Sequence, residues 1–222
     1  VIVAGRREQA LKETAAANPG IEWLSFDILD RASIVGLARE VTGRFPALNF
    51  LVNNAGIMRP EKLLDQQEDL KDAEEMVATN LLGPIRLTAA LLPHLKQQEK
   101  AAILNVSSGL AFVPLAVTPT YCATKAAIHS YTQSLRYQLK GTRIEVMELA
   151  PPYVATHLMS GASDPRAMPL GAFIEQVMEI LRQEPAPAEI CVENVRGLRY
   201  AAESGKYDAI FNGMNARMAD VH

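Results

Sequence analysis

Cysteine is scarce in this chain: Cys122 and Cys191 are the only two among 222 residues. Two thiols cannot make a disulfide framework, and their use suits a reducing compartment. Histidine is thin as well, with four scattered residues and no ligand spacing, so no metal site is expected. Charge of one sign is lacking too. A formal net charge of −3 offers no polybasic surface for nucleic acid or an anionic membrane. No apolar run approaches 18 residues, and a membrane span is not expected. The N-terminal Val1-Ile-Val-Ala-Gly-Arg-Arg7 has no charged-then-apolar signal pattern. What is left is ordinary globular usage, 49% hydrophobic and 21% charged residues. A single cytoplasmic domain over 1–222 is the expectation.

The chain alternates short apolar runs with helical patterns. Strands are expected at 1–4, 21–26, 48–53, 102–106, 143–148 and 189–195. Helices are expected at 8–17, 31–45, 68–98 (interrupted near Gly83-Pro84), 120–140, 173–183 and much of 195–204. Residues 161–172 read as a loop rich in Gly, Ser and Pro, and 157–185 as a substrate loop and helix. All-apolar strands alternating with helices predict an α/β fold, a doubly wound parallel sheet in three layers covered on both faces. Such sheets bind ligands at the carboxyl ends of their strands.

Chemistry concentrates in one helix. Tyr121 and Lys125 are four residues apart, one helical turn, so both project from the same face. A phenol titrates near 10 and is a poor base at neutral pH. A neighbouring ammonium favours the phenolate, so Lys125 is expected to lower the pKa of Tyr121 and let it shuttle a proton near neutrality. Ser108 lies thirteen residues upstream, closing the strand-like run Ala101-Ala-Ile-Leu-Asn-Val-Ser-Ser108. There its hydroxyl can bond a substrate oxygen. Ser107 is the rival, and strand alternation turns it to the opposite side.

Context adds Asn53-Asn-Ala-Gly56 after an apolar run, Asn80 within Ala78-Thr-Asn-Leu-Leu-Gly83, and Pro151-Pro-Tyr-Val-Ala-Thr156 after another. In this order the residues resemble the short-chain dehydrogenase/reductase family over nearly the whole chain. The resemblance implies a Rossmann-type fold and a catalytic set of Asn80, Ser108, Tyr121 and Lys125, with Asn80 holding a relay water. It implies that Asp27 and Ile28 contact the adenine. Asn53, Ala55 and Gly56 would meet the adenosine ribose, Lys125 the nicotinamide ribose beside Tyr121, and Val154 and Thr156 the carboxamide and a phosphate. Plainer readings stand beside these: Asp27 as a turn aspartate, Asn53–Gly56 as a lock between strands, and Asn80 as a packing residue.

One family element has no counterpart. No Gly-x-x-x-Gly-x-Gly occurs, and the chain opens with what reads as a second strand. The first strand–helix unit is therefore expected to be missing, by truncation, partial gene product or unusual variation, and cofactor binding to be weak. Gly5-Arg6-Arg7, with no acid at the turn, favours NADP(H) over NAD(H), because a guanidinium binds the 2′-phosphate that a carboxylate would repel. The alternative is that both arginines are solvated charges at a helix start.

Pro151-Pro152, Ala167-Met-Pro-Leu170, Glu189-Ile-Cys-Val192 and Tyr207-Asp-Ala-Ile-Phe211 resemble the subgroup named for an oxidoreductase of the D-alanyl-lipoteichoic acid operon. That name fixes no substrate. Met159 and Met168 are candidates for an adaptable apolar pocket. The expected activity is hydride transfer between NADP(H) and a small carbonyl or secondary alcohol, with no nucleic-acid or membrane partner. Leu87, Leu91, Leu92 and Leu95 on one helix and Tyr131, Leu135 and Leu139 on the next predict a homodimer or homotetramer. The competing reading is a non-catalytic remnant or nucleotide-sensing binding protein.

Overall fold

A computed structural model describes residues 1–64, 69–156, 158 and 164–219. The elements run β1 (Ile2–Gly5), α1 (Glu8–Ala17), β2 (Glu22–Ser25), α2 (Arg31–Arg44), β3 (Phe50–Asn53), α3 (Lys71–Val77), a π-helical turn (Ala78–Leu82) and α4 (Gly83–Leu95). Then come β4 (Ala101–Val106), a 3₁₀ turn (Gly109–Ala111), α5 (Pro119–Gln138), β5 (Ile144–Leu149), α6 (Leu170–Leu181), β6 (Glu189–Ile190), α7 (Glu193–Arg199) and α8 (Tyr207–Ala219). All strand pairs are parallel. β1 pairs with β2, and β3-β4-β5-β6 form a second sheet in that order. The fold is the expected Rossmann-type α/β arrangement.

Alternation along the strands divides the core. Leu51, Ile103, Ile144 and Val146 face α2, α4 and α5, where Ile34, Leu37, Leu87, Leu91, Leu95 and Leu135 complete one apolar cluster. Leu104, Met147 and Leu149 face the other way, against Val177 of α6 and Val195 of α7. Each fully buried aliphatic side chain contributes about 1.5–3 kcal/mol. Local signals start the helices: both carboxylate oxygens of Asp30 accept bonds from Ala32 and Ser33 N–H at the head of α2.

Three sequence expectations need correction. The strand at 189–195 shortens to two residues, because Val192 turns the chain into α7. Helix α8 was not anticipated, as its apolar residues form no continuous stripe. The stretch Lys71–Leu95 is long and apolar enough by composition to cross a membrane, a match that the run-length criterion missed. Leu87, Leu91 and Leu95 within it are instead buried in the core. Of the residues behind the expected assembly, Leu87, Leu91, Leu95, Leu135 and Leu139 are buried within the chain itself, while Leu92 and Tyr131 are half-buried.

Gly83 lets α4 abut the segment after β2. A Cβ there would sit 2.4 Å from Ile28 Cγ1. Gly83→Ala is expected to lower stability by about 1–3 kcal/mol, the usual cost of overpacking. Urea unfolding with an unchanged or raised midpoint would show that Ile28 can move aside.

Candidate active site

The carboxyl ends of β3 and β4, the π turn and the first turns of α5 converge on one spot. At the end of β3, Asn53 points into the core. Its amide nitrogen donates to Thr88 Oγ1 at 3.0 Å and Asn105 Oδ1 at 2.8 Å. Asn53 thus ties β3 to β4 and α4, while Asn54, Ala55, Gly56 and Ile57 line a cleft of about 410 Å³. Gly56 permits a close approach, since a Cβ there would lie 3.5 Å from Asn80 Oδ1 and 3.6 Å from Lys125 Nζ.

Asn80 occupies the π turn and is 1% exposed. Its amide is spent on protein: Oδ1 accepts from Ile57 N–H, and Nδ2 donates to Ile57 C=O, both at 2.8 Å, and to Thr124 Oγ1 at 3.2 Å. The side chain therefore ties the post-β3 segment to α5.

Helix α5 is anchored just before Tyr121. The Glu61 carboxylate accepts from Thr120 N–H at 2.9 Å and Thr120 Oγ1 at 2.8 Å. On the next turn Lys125 Nζ donates to Val106 C=O at 2.8 Å and lies 5.6 Å from the centre of the Tyr121 ring. Ser108 Oγ accepts from Leu110 N–H at 3.1 Å. Ser107 turns to the other side of the strand, with its hydroxyl on Glu148.

The direction expected for Tyr121 is reversed. Burial pushes the phenol up to about 12, and a hydrogen bond with Ser108 offsets only part of this. Burial also lowers Lys125 to about 8. Desolvation penalises both charged forms and outweighs their attraction. At neutral pH the pair is a neutral phenol beside an ammonium, which is the proton-donating state.

Arg6 and Arg7 lie at one end of the cleft, with Phe26 and Ile28 in its wall. Arg6 is held loosely, 3.8 Å from Glu75, whose carboxylate is taken by Arg59 at 2.8 Å. Thr79 also lines the cleft, and its hydroxyl is buried without a partner among the described residues. No sequence signal singled it out. Between Phe26 and Ile28, Asp27 Oδ1 accepts from Leu29 N–H in a local turn. Val154 bridges to Met168, and Thr156 Oγ1 accepts from Leu158 N–H. Met159 and most of the loop around it lie outside the described residues.

Behind Ser108, His129, Glu148 and Glu189 bring ligand-type atoms within 4.8 Å of one another. These atoms have partners already. Glu189 is bound by Arg199 at 2.6 Å, and Glu148 by His129 and Ser107.

The chain matches the family model described as short chain dehydrogenase over residues 1–167. It is 39% identical over 222 residues to the uncharacterized oxidoreductase DltE of Bacillus subtilis (strain 168), covering 98% of this chain and 87% of that protein. It is 33% identical to the NADP-dependent 3-hydroxy acid dehydrogenase of Schizosaccharomyces pombe, over 70% of this chain and 62% of that one. Among solved structures, the closed form of serine dehydrogenase complexed with NADP+ superposes with a TM-score of 0.74 at 26% identity, covering 86% of this chain and 82% of that one. NADPH-bound carbonyl reductase from chicken fatty liver gives 0.70 at 26%, covering 82% and 79%.

Proposed function

The chain belongs to the short-chain dehydrogenase family, and from that premise we propose that it reduces a small carbonyl compound, or oxidises the corresponding secondary alcohol, with NADP(H). The observation that carries this reading is the buried phenol–ammonium pair of Tyr121 and Lys125, with Ser108 on the phenol and the cleft beside it. The cleft suits the adenosine end of such a cofactor: backbone from Asn54–Ile57, an orphaned Thr79 hydroxyl and a loosely held Arg6. An unpartnered buried hydroxyl costs free energy until something bonds it. Bound there, the cofactor would supply the hydride.

The chain's own residues handle the oxygen. Ser108 Oγ donates to the carbonyl oxygen and fixes its direction. Tyr121, held as a neutral phenol, delivers its proton to that oxygen as negative charge grows on it. Lys125, one turn on, stabilises the phenolate left behind. The main chain of the π turn at Asn80 offers a route for the proton to be restored. Self-association as a homodimer or homotetramer belongs to the same proposal, with the 79%-exposed Tyr137 of α5 as available surface.

A panel of aldehydes and ketones, assayed with NADPH and NADH, tests the reading. Arg6→Ala is expected to weaken NADPH by about 1.5–3 kcal/mol, the worth of a charge-assisted hydrogen bond, and NADH far less. Equal loss for both would make the arginine structural. Cofactor binding with no turnover across the panel would favour a nucleotide-sensing protein instead.

A further inference from the structure

Glu148 is a costly residue where it stands. It lies near the end of β5, 1% exposed, on the sheet face that otherwise carries Ile144 and Val146. A buried carboxylate must be fully bonded to be tolerated, and an apolar residue of similar size often serves a core as well or better. Glu148 is fully bonded. Oε1 accepts from Ser107 Oγ at 2.5 Å, and Oε2 accepts from His129 Nδ1 at 2.8 Å. Gln133 Nε2 meets the other ring nitrogen of His129, Nε2, at 3.1 Å.

These bonds bracket Ser108. On its amino side, the Val106–Ser107 peptide is gripped at both ends: Lys125 Nζ binds Val106 C=O, and Ser107 N–H donates to Leu149 C=O at 2.9 Å. The Ser107 hydroxyl on Glu148 adds a third hold. On its carboxyl side, the Phe112 ring packs edge-on against His129 at 4.8 Å between centroids. The Arg199 guanidinium lies over the Phe112 ring at 4.8 Å, and its own charge is matched by Glu189 and Glu203. The Glu148 charge is thus answered by Ser107 and His129, with Arg199 already satisfied elsewhere.

We propose that Glu148 and His129 are positioning residues for Ser108: the carboxylate fixes Ser107 on one side of it and the imidazole fixes Phe112 on the other. The inference rests on the reductase reading for its kinetic arm only. Misplacement of a reacting group by about 1 Å can cost about 100-fold in rate. Glu148→Leu is therefore expected to lower kcat by about 10–100-fold while the KM for NADPH moves less than about threefold. Glu148→Gln keeps an acceptor for Ser107 and should recover much of the loss. Thermal stability of the Leu variant should fall, because Ser107 Oγ and His129 Nδ1 lose their acceptor, and the Gln variant should recover part of it.

A second readout needs no turnover. In protein carrying ¹³C-labelled tyrosine, the Tyr121 ring resonance is assigned through Tyr121→Phe, and Ser108→Ala sets the displacement caused by losing the serine hydroxyl. Glu148→Leu should move the resonance the same way, and Glu148→Gln should leave it near its parent position. If no carbonyl is reduced by the parent protein, the reductase reading fails, and the resonance still decides the clamp. Should Glu148→Leu not fold, Ser107→Ala takes its place, since it removes only the donor to Glu148. A folded variant of either kind with parent kcat and an unmoved Tyr121 resonance overturns the proposal.

Discussion

Tyr121→Phe is expected to cut carbonyl reduction by about 10²–10⁴-fold, the usual worth of a positioned proton donor. The substitution removes one oxygen from a side chain that is 5% exposed and packed with Met76 and Cys122. The ring stays, so the packing of α5 and the affinity for NADPH should change little. Steady-state rates on the best substrate of the carbonyl panel, with NADPH titrated by its fluorescence, separate the two effects. Near-normal turnover by the Phe variant would mean that another group donates the proton.

Lys125→Met should abolish most activity and yet make the protein harder to unfold. Burial lowers the ammonium from 10.5 to about 8, which corresponds to a penalty of about 3 kcal/mol on the charged form at neutral pH. Losing the bond to Val106 C=O returns part of this, so the net gain is expected at about 1–3 kcal/mol. The sign with pH follows from a depressed lysine. Below about 8 the folded state carries the whole penalty. Between about 8 and 10.5 the folded state binds fewer protons than the unfolded one, and stability rises with pH. The advantage of the Met variant should therefore be largest at pH 7 and shrink towards pH 9.5, below the point at which an ordinary tyrosine titrates. Urea unfolding at both pH values checks this. A Met variant less stable than the parent at pH 7 would show that the Val106 bond outweighs desolvation.

Much of this site was legible because chemistry and spacing coincide. Tyr121 and Lys125 share a helix face whatever the surroundings, and strand alternation alone separates Ser107 from Ser108. The sheet was legible for a similar reason, since Ile103 and Leu104 must face opposite layers. What escaped depends on depth and on distant partners. How far Tyr121 is buried decides the direction of its pKa, and no local pattern carries that. Glu61 caps α5 from 59 residues away in sequence. Glu148 meets His129 and Ser107 only after β4, β5 and α5 have packed, and in the sequence it is one acid in a β-strand. Apolar residues on two faces of a helix signal two covers, and how much of each the chain itself supplies shows only once the helices have packed. Thr79 stood unremarked beside Asn80 because an orphaned hydroxyl shows only against a cavity.

The π turn at Ala78–Leu82 sets the phase of everything after it. Each residue of an α-helix advances the chain by about 100° and 1.5 Å. A π turn holds one residue more than the α-helical path would need. Were all these residues α-helical, that extra residue would rotate α4 relative to α3 by about a quarter turn. Leu87, Leu91 and Leu95 would leave the core face, and Asn80 would no longer meet Ile57 and Thr124. The π turn thus takes up the extra residue locally, so that Asn80 reaches Ile57 and Thr124 while α4 keeps Leu87, Leu91 and Leu95 on the core.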